Sequence, residues 1–240
     1  MFAARGLTSS PPSIGHLRDG EPERPARVPG VFTRDTLERP QPERAGEELD
    51  INAPCDLDYT DFFQSLEHPY AGAAVRPGVH AETSRGGWWG EKSHCTFCGL
   101  NADGMNYRAM DAERAVELFR DLIARYRSRA SIFLTLDNIM PRNYVKDVLP
   151  RIHAPPGTRL FYEVKASLTV DELRIMADAG VRWLQPGIEA LSSRSLKLMR
   201  KGTTSFINLR MLKNCVRYGI DPIWNILVGF PGQGAGVYDQ

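Results

Sequence analysis

From Val79 onward the sequence alternates short apolar runs with segments of helical periodicity, and this rhythm restricts the fold more than any other feature. The runs VHAET (79–83), SIFLTLD (131–137), RLFYEVK (159–165), VRWLQPGIE (181–189) and IDPIWNILVGF (220–230) have the length and the β-branched and aromatic content of strands. Between the first two, Val116, Phe119, Leu122, Ile123 and Tyr126 recur at helical spacing over 111–127. PRNYVKDVLPRI gives a short helix. The next helix opens with Thr169 and Glu172 at capping-box spacing and stops before Gly180, and pieces at 192–200 and 204–217 stop at Gly202 and Gly219. Strands this apolar, separated by helices, predict a parallel sheet covered on at least one face. Right-handed crossovers then build either an open sheet or a barrel. A full eight-unit barrel takes roughly 200–250 residues, more than the strand-and-helix region offers. The sequence also stops soon after Phe230, with no helix to cover a fifth apolar strand. The expectation is an α/β fold: a partial (β/α) barrel of parallel strands, truncated at its C-terminal end.

The flanks differ in composition. Residues 1–50 carry Pro11, Pro12, Pro22, Pro25, Pro29, Pro40 and Pro42 among many Arg and Glu, and cannot bury enough apolar surface to offset the entropy of ordering them. They read as a linker or a disordered tail. Residues 51–78, with Tyr59, Phe62 and Phe63, read as a connecting segment that docks on the core at 79–240. A formal net charge of +1 gives no nucleic-acid or membrane footprint. No apolar run approaches the roughly 18–20 residues of a membrane helix, and MFAARGLTSSPPSIG does not resemble a secretory signal. The expected location is the cytoplasm.

Functional groups in such folds collect at the C-terminal rim of the sheet. Polar residues fall there after every strand: Arg85 and the cysteine loop, Asp137 and Asn138, Glu163 and Lys165, Gln185 and Glu189, then Asn225 with GFPGQG. Cys95 and Cys98 form the motif CTFC. Thiolates are soft ligands suited to iron–sulfur clusters and to zinc, and two residues of spacing let both reach one centre. Two are too few to close a site, and adjacent His94 is a poor third ligand. A redox dithiol is a further reading, although such pairs normally open a helix whereas Gly99, Asp103 and Gly104 follow here. Trp88 and Trp89 read as packing beneath the loop, Glu163 with Lys165 as a strand-end ion pair or a site element, and Cys215 as core.

The run ETSRGGWWGEKSHCTFCGLNADGMNYR resembles the cluster loop of cobalamin-associated radical S-adenosylmethionine (radical SAM) enzymes, in particular the branch that matures ribosomally made peptides (RiPPs), some members being C-methyltransferases. The resemblance continues through LDNIMP, FYEVKASLT, LQPGIEALSSRSLKLMRKG and WNILVGFPG, and so covers most of 57–233. It implies a [4Fe–4S] cluster held by cysteines, SAM bound to its remaining iron, and reductive cleavage of SAM to a 5′-deoxyadenosyl radical that abstracts hydrogen from a peptide substrate. An electron-donor protein is implied as well. By position, Cys95 and Cys98 would be metal ligands and Phe97 would lie near the adenine, with Asp137, Glu189, Gly229 and Gly232 contacting SAM. The family array has three cysteines, and Gly87 stands where the first belongs. Relatives carry a cobalamin-binding domain before the barrel; residues 28–66 resemble the linker after such a domain, so cobalamin is implied by the resemblance alone. Beside this reading stand two others, an inactive remnant or fragment of such an enzyme and a CxxC zinc or redox module.

Overall fold

The computed structural model describes residues 50–67, 75–99 and 106–238. The chain divides into two units, Met1–Asp56 and Leu57–Gln240. Of the first, the described residues contain a turn in which the Asn52 N–H donates to Asp50 Oδ1 at 2.9 Å. The linker expected at residues 1–50 lies, except for Asp50, outside the described residues.

The second unit begins with helix α1 (Thr60–Glu67) and strand β1 (Gly78–Ala81), followed by β2 (Ser84–Arg85), α2 (Trp88–Lys92), β3 (Arg108–Ala109) and α3 (Ala112–Tyr126). Strand β4 (Ile132–Thr135), helices α4 (Tyr144–Asp147) and α5 (Leu149–Ile152), β5 (Arg159–Val164), α6 (Val170–Asp178) and β6 (Val181–Pro186) come next. Helices α7 (Ser193–Leu198) and α8 (Ser205–Arg217) and strand β7 (Asp221–Pro222) complete the series. A 3-10 turn spans Ala235–Tyr238.

Strands β1, β4, β5, β6 and β7 form one parallel sheet in the order of the chain. Each new strand is added on the same side, which curls a sheet toward a barrel instead of winding it in both directions. The α/β expectation of a partial parallel barrel is thus met.

Period-two alternation divides the sheet into two unlike faces. Val79, Phe133, Leu160, Tyr162 and Leu184 are at most 2% exposed and meet the helices. From α3, Val116, Phe119 and Leu122 fill this core; from α6, Leu173 and Met176; from α8, Met211 and Cys215. Helix α1 joins it through Phe63, whose ring stacks on Tyr126 with centroids 5.6 Å apart. The opposite face carries Leu134, Phe161, Glu163, Trp183 and Gln185, all half-buried.

Local signals operate as the sequence suggests at α6. Thr169 Oγ1 accepts the Glu172 N–H at 3.2 Å while the Glu172 carboxylate accepts the Thr169 N–H at 2.7 Å. Two expectations change. The single helix expected in PRNYVKDVLPRI is two short ones, because Pro150 in the first turn of α5 has no N–H to continue α4. The fifth strand, expected over 220–230, keeps two residues of ladder. Its Pro222 donates nothing; beyond it the Ile223 N–H to Leu184 O bond ties the segment to β6, and a bridge between Glu189 and Ile226 ties it to the stretch that follows β6.

Candidate functional site

The cysteine loop leaves the sheet just after β1 and returns just before α3. Its neck is closed by β2 pairing antiparallel with β3, Ser84 opposite Ala109 and Arg85 opposite Arg108. Within the loop, Gly87 precedes α2 with φ −132° and ψ 111°. Trp88 donates its indole N–H to Met140 O at 3.1 Å, and the Arg142 guanidinium lies 4.1 Å from its ring centroid. These contacts seat α2 against the loop that follows β4.

The CTFC turn is anchored on the opposite wall. The Thr96 N–H donates to Met199 O at 3.1 Å and its hydroxyl to Leu198 O at 3.3 Å, at the end of α7. The Cys98 N–H closes the turn on Cys95 O at 3.1 Å. Cys95 is buried and Cys98 half-buried. Burial pushes the Cys95 thiol above its ordinary range, the Lys201 ammonium pulls it back, and the Trp89 indole N–H and Lys165 add to that pull. Trp89 Nε1 itself is buried with no hydrogen-bond partner among the described residues. An orphaned donor facing a sulfur suits an anionic sulfur centre.

Two lysines meet at this point. Lys201 pairs with Glu189 at 3.0 Å, each side chain 16% exposed, and its ammonium lies 5.4 Å from the Phe97 ring centroid. A Cβ on Gly187 would stand 2.7 Å from Lys201 Nζ, so glycine there leaves the ammonium its place. Glu189 holds a φ of 57°, uncommon without glycine, and its carbonyl accepts the Leu227 N–H at 2.9 Å. Lys165 does not pair with Glu163, as an ion-pair reading of that strand end would have it. Its ammonium lies on the face of Trp89, 2.7 Å from the ring centroid, and donates to Lys201 O at 3.1 Å. Gly202 makes this stack possible, since a Cβ there would overlap Trp89 at 2.2 Å. Burial lowers the Lys165 pKa to about 8, the Cys95 charge opposing the shift. Among the described residues Lys165 has no carboxylate partner, and the Glu163 carboxylate accepts no hydrogen bond. Burial raises the Glu163 pKa, and the charges of Asp137 and Glu189 raise it further.

A cleft of about 650 Å³ opens beside the turn, lined among others by Thr96, Phe97, Leu198, Leu227, Gly229 and Phe230. Phe97 and Phe230 meet edge-on with centroids 6.4 Å apart. Gly232 turns the chain at φ 86° against Leu198. The structure therefore brings Cys95, Cys98, Phe97, Gly229 and Gly232 to one side of the rim, with Glu189 joined to them through Lys201. Asp137 stands apart: it is fully buried, and its carboxylate accepts the Thr83 N–H at 2.7 Å and the Thr83 hydroxyl. Sequence reasoning gave Lys201 no role. Its only signal was a basic residue next to Gly202, which acquires meaning once Trp89 is seen to occupy the space a side chain would take. Among the described residues no group of three or more His, Cys, Asp or Glu converges as a metal site.

A half-barrel of parallel strands with a thiol-bearing loop after its first strand defines a class. The profile of the radical SAM superfamily matches residues 91–236, and the chain belongs to that superfamily. Among solved structures, it is similar to the apo, selenomethionine-labelled cobalamin-dependent S-adenosylmethionine radical enzyme OxsB, with a TM-score of 0.63 and 17% identity over 90% of this chain and 32% of that one. It is also similar to the radical SAM methyltransferase TsrM from Kitasatospora setae with cobalamin and a [4Fe–4S] cluster bound, with a TM-score of 0.56 and 20% identity over 78% of this chain and 33% of that one. The same methyltransferase with tryptophan and a SAM analogue gives 0.53 and 22% over 65% and 31%. At these identities the likeness is one of fold, and the chain spans about a third of the length of these proteins. No curated protein matches the sequence significantly. Among the described residues no helix is long and apolar enough to cross a membrane.

Proposed function

We propose that this chain is a radical SAM core in which Cys95 and Cys98 hold an iron–sulfur centre beside bound SAM, and that it serves the maturation of a ribosomally made peptide, with methylation at carbon as the reaction. The observation that carries the reading is the pairing of the two thiols with uncompensated charges of both signs. Lys165 and Glu163 extend from the end of β5, half-buried and unpaired with each other. Such an arrangement suits a zwitterionic amino-acid group, the carboxylate toward Lys165 and the ammonium toward Glu163. The cleft along Phe97 and Gly229 suits a flat heterocycle, packed against an aromatic ring and approached closely by backbone that carries no side chain.

The fit to the cluster is partial. Two thiolates and the orphaned Trp89 donor suit it, while the family's third cysteine is replaced by Gly87 and no other ligand joins the pair among the described residues. When bound, the cluster supplies the electron with which this superfamily cleaves SAM. The chain's own residues do the rest: the Trp89 indole N–H faces the buried Cys95 sulfur, Met199 O anchors the turn through the Thr96 N–H, Lys201 steadies Glu189, and Lys165 offsets negative charge near Cys95. The shortage at Gly87 also favours a second reading, a remnant that keeps the SAM cleft without a stable cluster. Cobalamin, a peptide substrate and an electron-donor protein belong to the proposal on the strength of the family likeness, and a cytoplasmic setting on the reading of CTFC as metal or redox chemistry instead of cross-linking; the fold neighbours include a cobalamin-bound methyltransferase.

Gly87→Cys tests the reading. The backbone at Gly87 is extended, a conformation any residue adopts, so the substitution introduces a thiol without backbone strain. After anaerobic reconstitution the variant is expected to retain more iron and sulfide per chain through gel filtration than the native protein. Equal and negligible iron in both would contradict the assignment of this loop to a cluster.

A further inference from the structure

Among the described residues Asp137 is the one buried carboxylate, and it lines neither the cleft nor the cysteine turn. It is fully buried, and no Lys, Arg or His pairs with it among the described residues. Burial raises its pKa, and hydrogen bonds from Thr83 and Ser84 are what oppose that shift. A carboxylate confined without a cation is costly, and a residue kept only for packing would be apolar.

What surrounds it gives the reason. Thr83 lies at the knot where the cysteine loop both leaves and rejoins the sheet. Its N–H and hydroxyl donate to Asp137. Its carbonyl accepts the Met110 N–H at 2.8 Å, at the far end of the loop, and the Tyr144 hydroxyl at 3.3 Å. The same hydroxyl lies 2.6 Å from Met110 O. Ser84 reaches Ile139 O at 3.3 Å, two residues beyond Asp137. The departing strand, the returning strand and the segment after β4 are thus gathered around one carboxylate.

We infer that Asp137 is the positioning residue of the cysteine loop, fixing Thr83 and Ser84 so that the paired neck holds Cys95 and Cys98 at the rim, instead of contacting a ligand itself. This rests on the proposed function only in taking the two cysteines as the reactive groups. The test therefore uses the metal-free chain and reads thiol reactivity and amide exchange, so its failure is separable from a failure to bind iron. In Asp137→Ala, hydrogen exchange at the Thr83 and Met110 amides and alkylation of Cys95 by iodoacetamide are expected to accelerate by about tenfold or more, the effect of losing buried hydrogen bonds to a charged group. Cys215, buried in α8, serves as the internal reference and should react at its native rate. Asp137→Asn keeps an acceptor for the Thr83 N–H and should fall between. Native Cys95 reactivity in Asp137→Ala would overturn the inference, and so would a parallel rise at Cys215, which reports loosening of the whole core. If Asp137→Ala does not fold, Thr83→Val and Thr83→Ser decide the matter. Valine removes the hydroxyl and should expose Cys95, serine should restore protection, and equal Cys95 reactivity in the two would overturn the inference.

Discussion

The two faces of the central sheet obey different rules. On the helix-covered face, Leu160, Tyr162 and Leu184 are excluded from water, and each is fixed by the side chains around it. On the open face, Leu136 is 58% exposed, and Glu163, Lys165 and Gln185 share the surface with Phe161 and Trp183. The first face sets the curvature and spacing of the strands. The second is free of that duty and can hold groups that would be intolerable in a core. A half-unpaired carboxylate and a lysine stacked on an indole are stable only where water or a ligand can still reach them.

That contrast can be broken by removing the same side chain from each face. Leu184→Ala should cost about 2–5 kcal/mol in urea unfolding, because the cavity it leaves cannot collapse. Leu136→Ala should cost less than about 0.5 kcal/mol, since its side chain is already largely hydrated. Similar losses at both positions would mean that the open face is packed in solution.

A second experiment sharpens the contrast through titration of the covered side. Burial lifts the Cys215 thiol to about 11 from an ordinary 9.0. The folded-state value is the higher one, so the stabilisation is complete below pH 9 and is lost as pH rises from 9 toward 11. At about 1.4 kcal/mol per unit, the native protein should lose roughly 2–3 kcal/mol over that window. Cys215→Ala should lack this part of the alkaline loss. Identical alkaline profiles for the two proteins would show that Cys215 ionises as readily in the fold as in the unfolded chain.

The covered face was the legible part of the sequence. Val116, Phe119, Leu122 and Ile123 declare a helix by spacing alone, and Thr169 with Glu172 declare a start that the structure forms. The neck was not legible: β2 and β3 are two residues each, and their pairing joins residues separated by the whole loop. The fifth strand was overread because the apolar run 220–230 looks like any buried strand, while Pro222 and the edge position leave Ile223 and Val228 exposed. At the site, the cysteine pair, Phe97 and the glycine turn could be placed by position in the motif. Lys201 could not, because its partners Glu189 and Phe97 come from distant segments. Asp137 illustrates the opposite limit: a carboxylate at a strand end suggests a ligand contact, and nothing in the sequence indicates that it is fully buried and accepts hydrogen bonds from Thr83.

In the proposed function the sulfurs of Cys95 and Cys98 grip iron at the mouth of the half-barrel. The most direct measurement compares iron and sulfide per chain, after anaerobic reconstitution in the Gly87→Cys background, among Cys95→Ser, Cys98→Ser and Cys215→Ala. The account predicts that either of the first two lowers the bound iron to the native level or below and that Cys215→Ala leaves it unchanged. Iron undiminished in both Cys95→Ser and Cys98→Ser would contradict it.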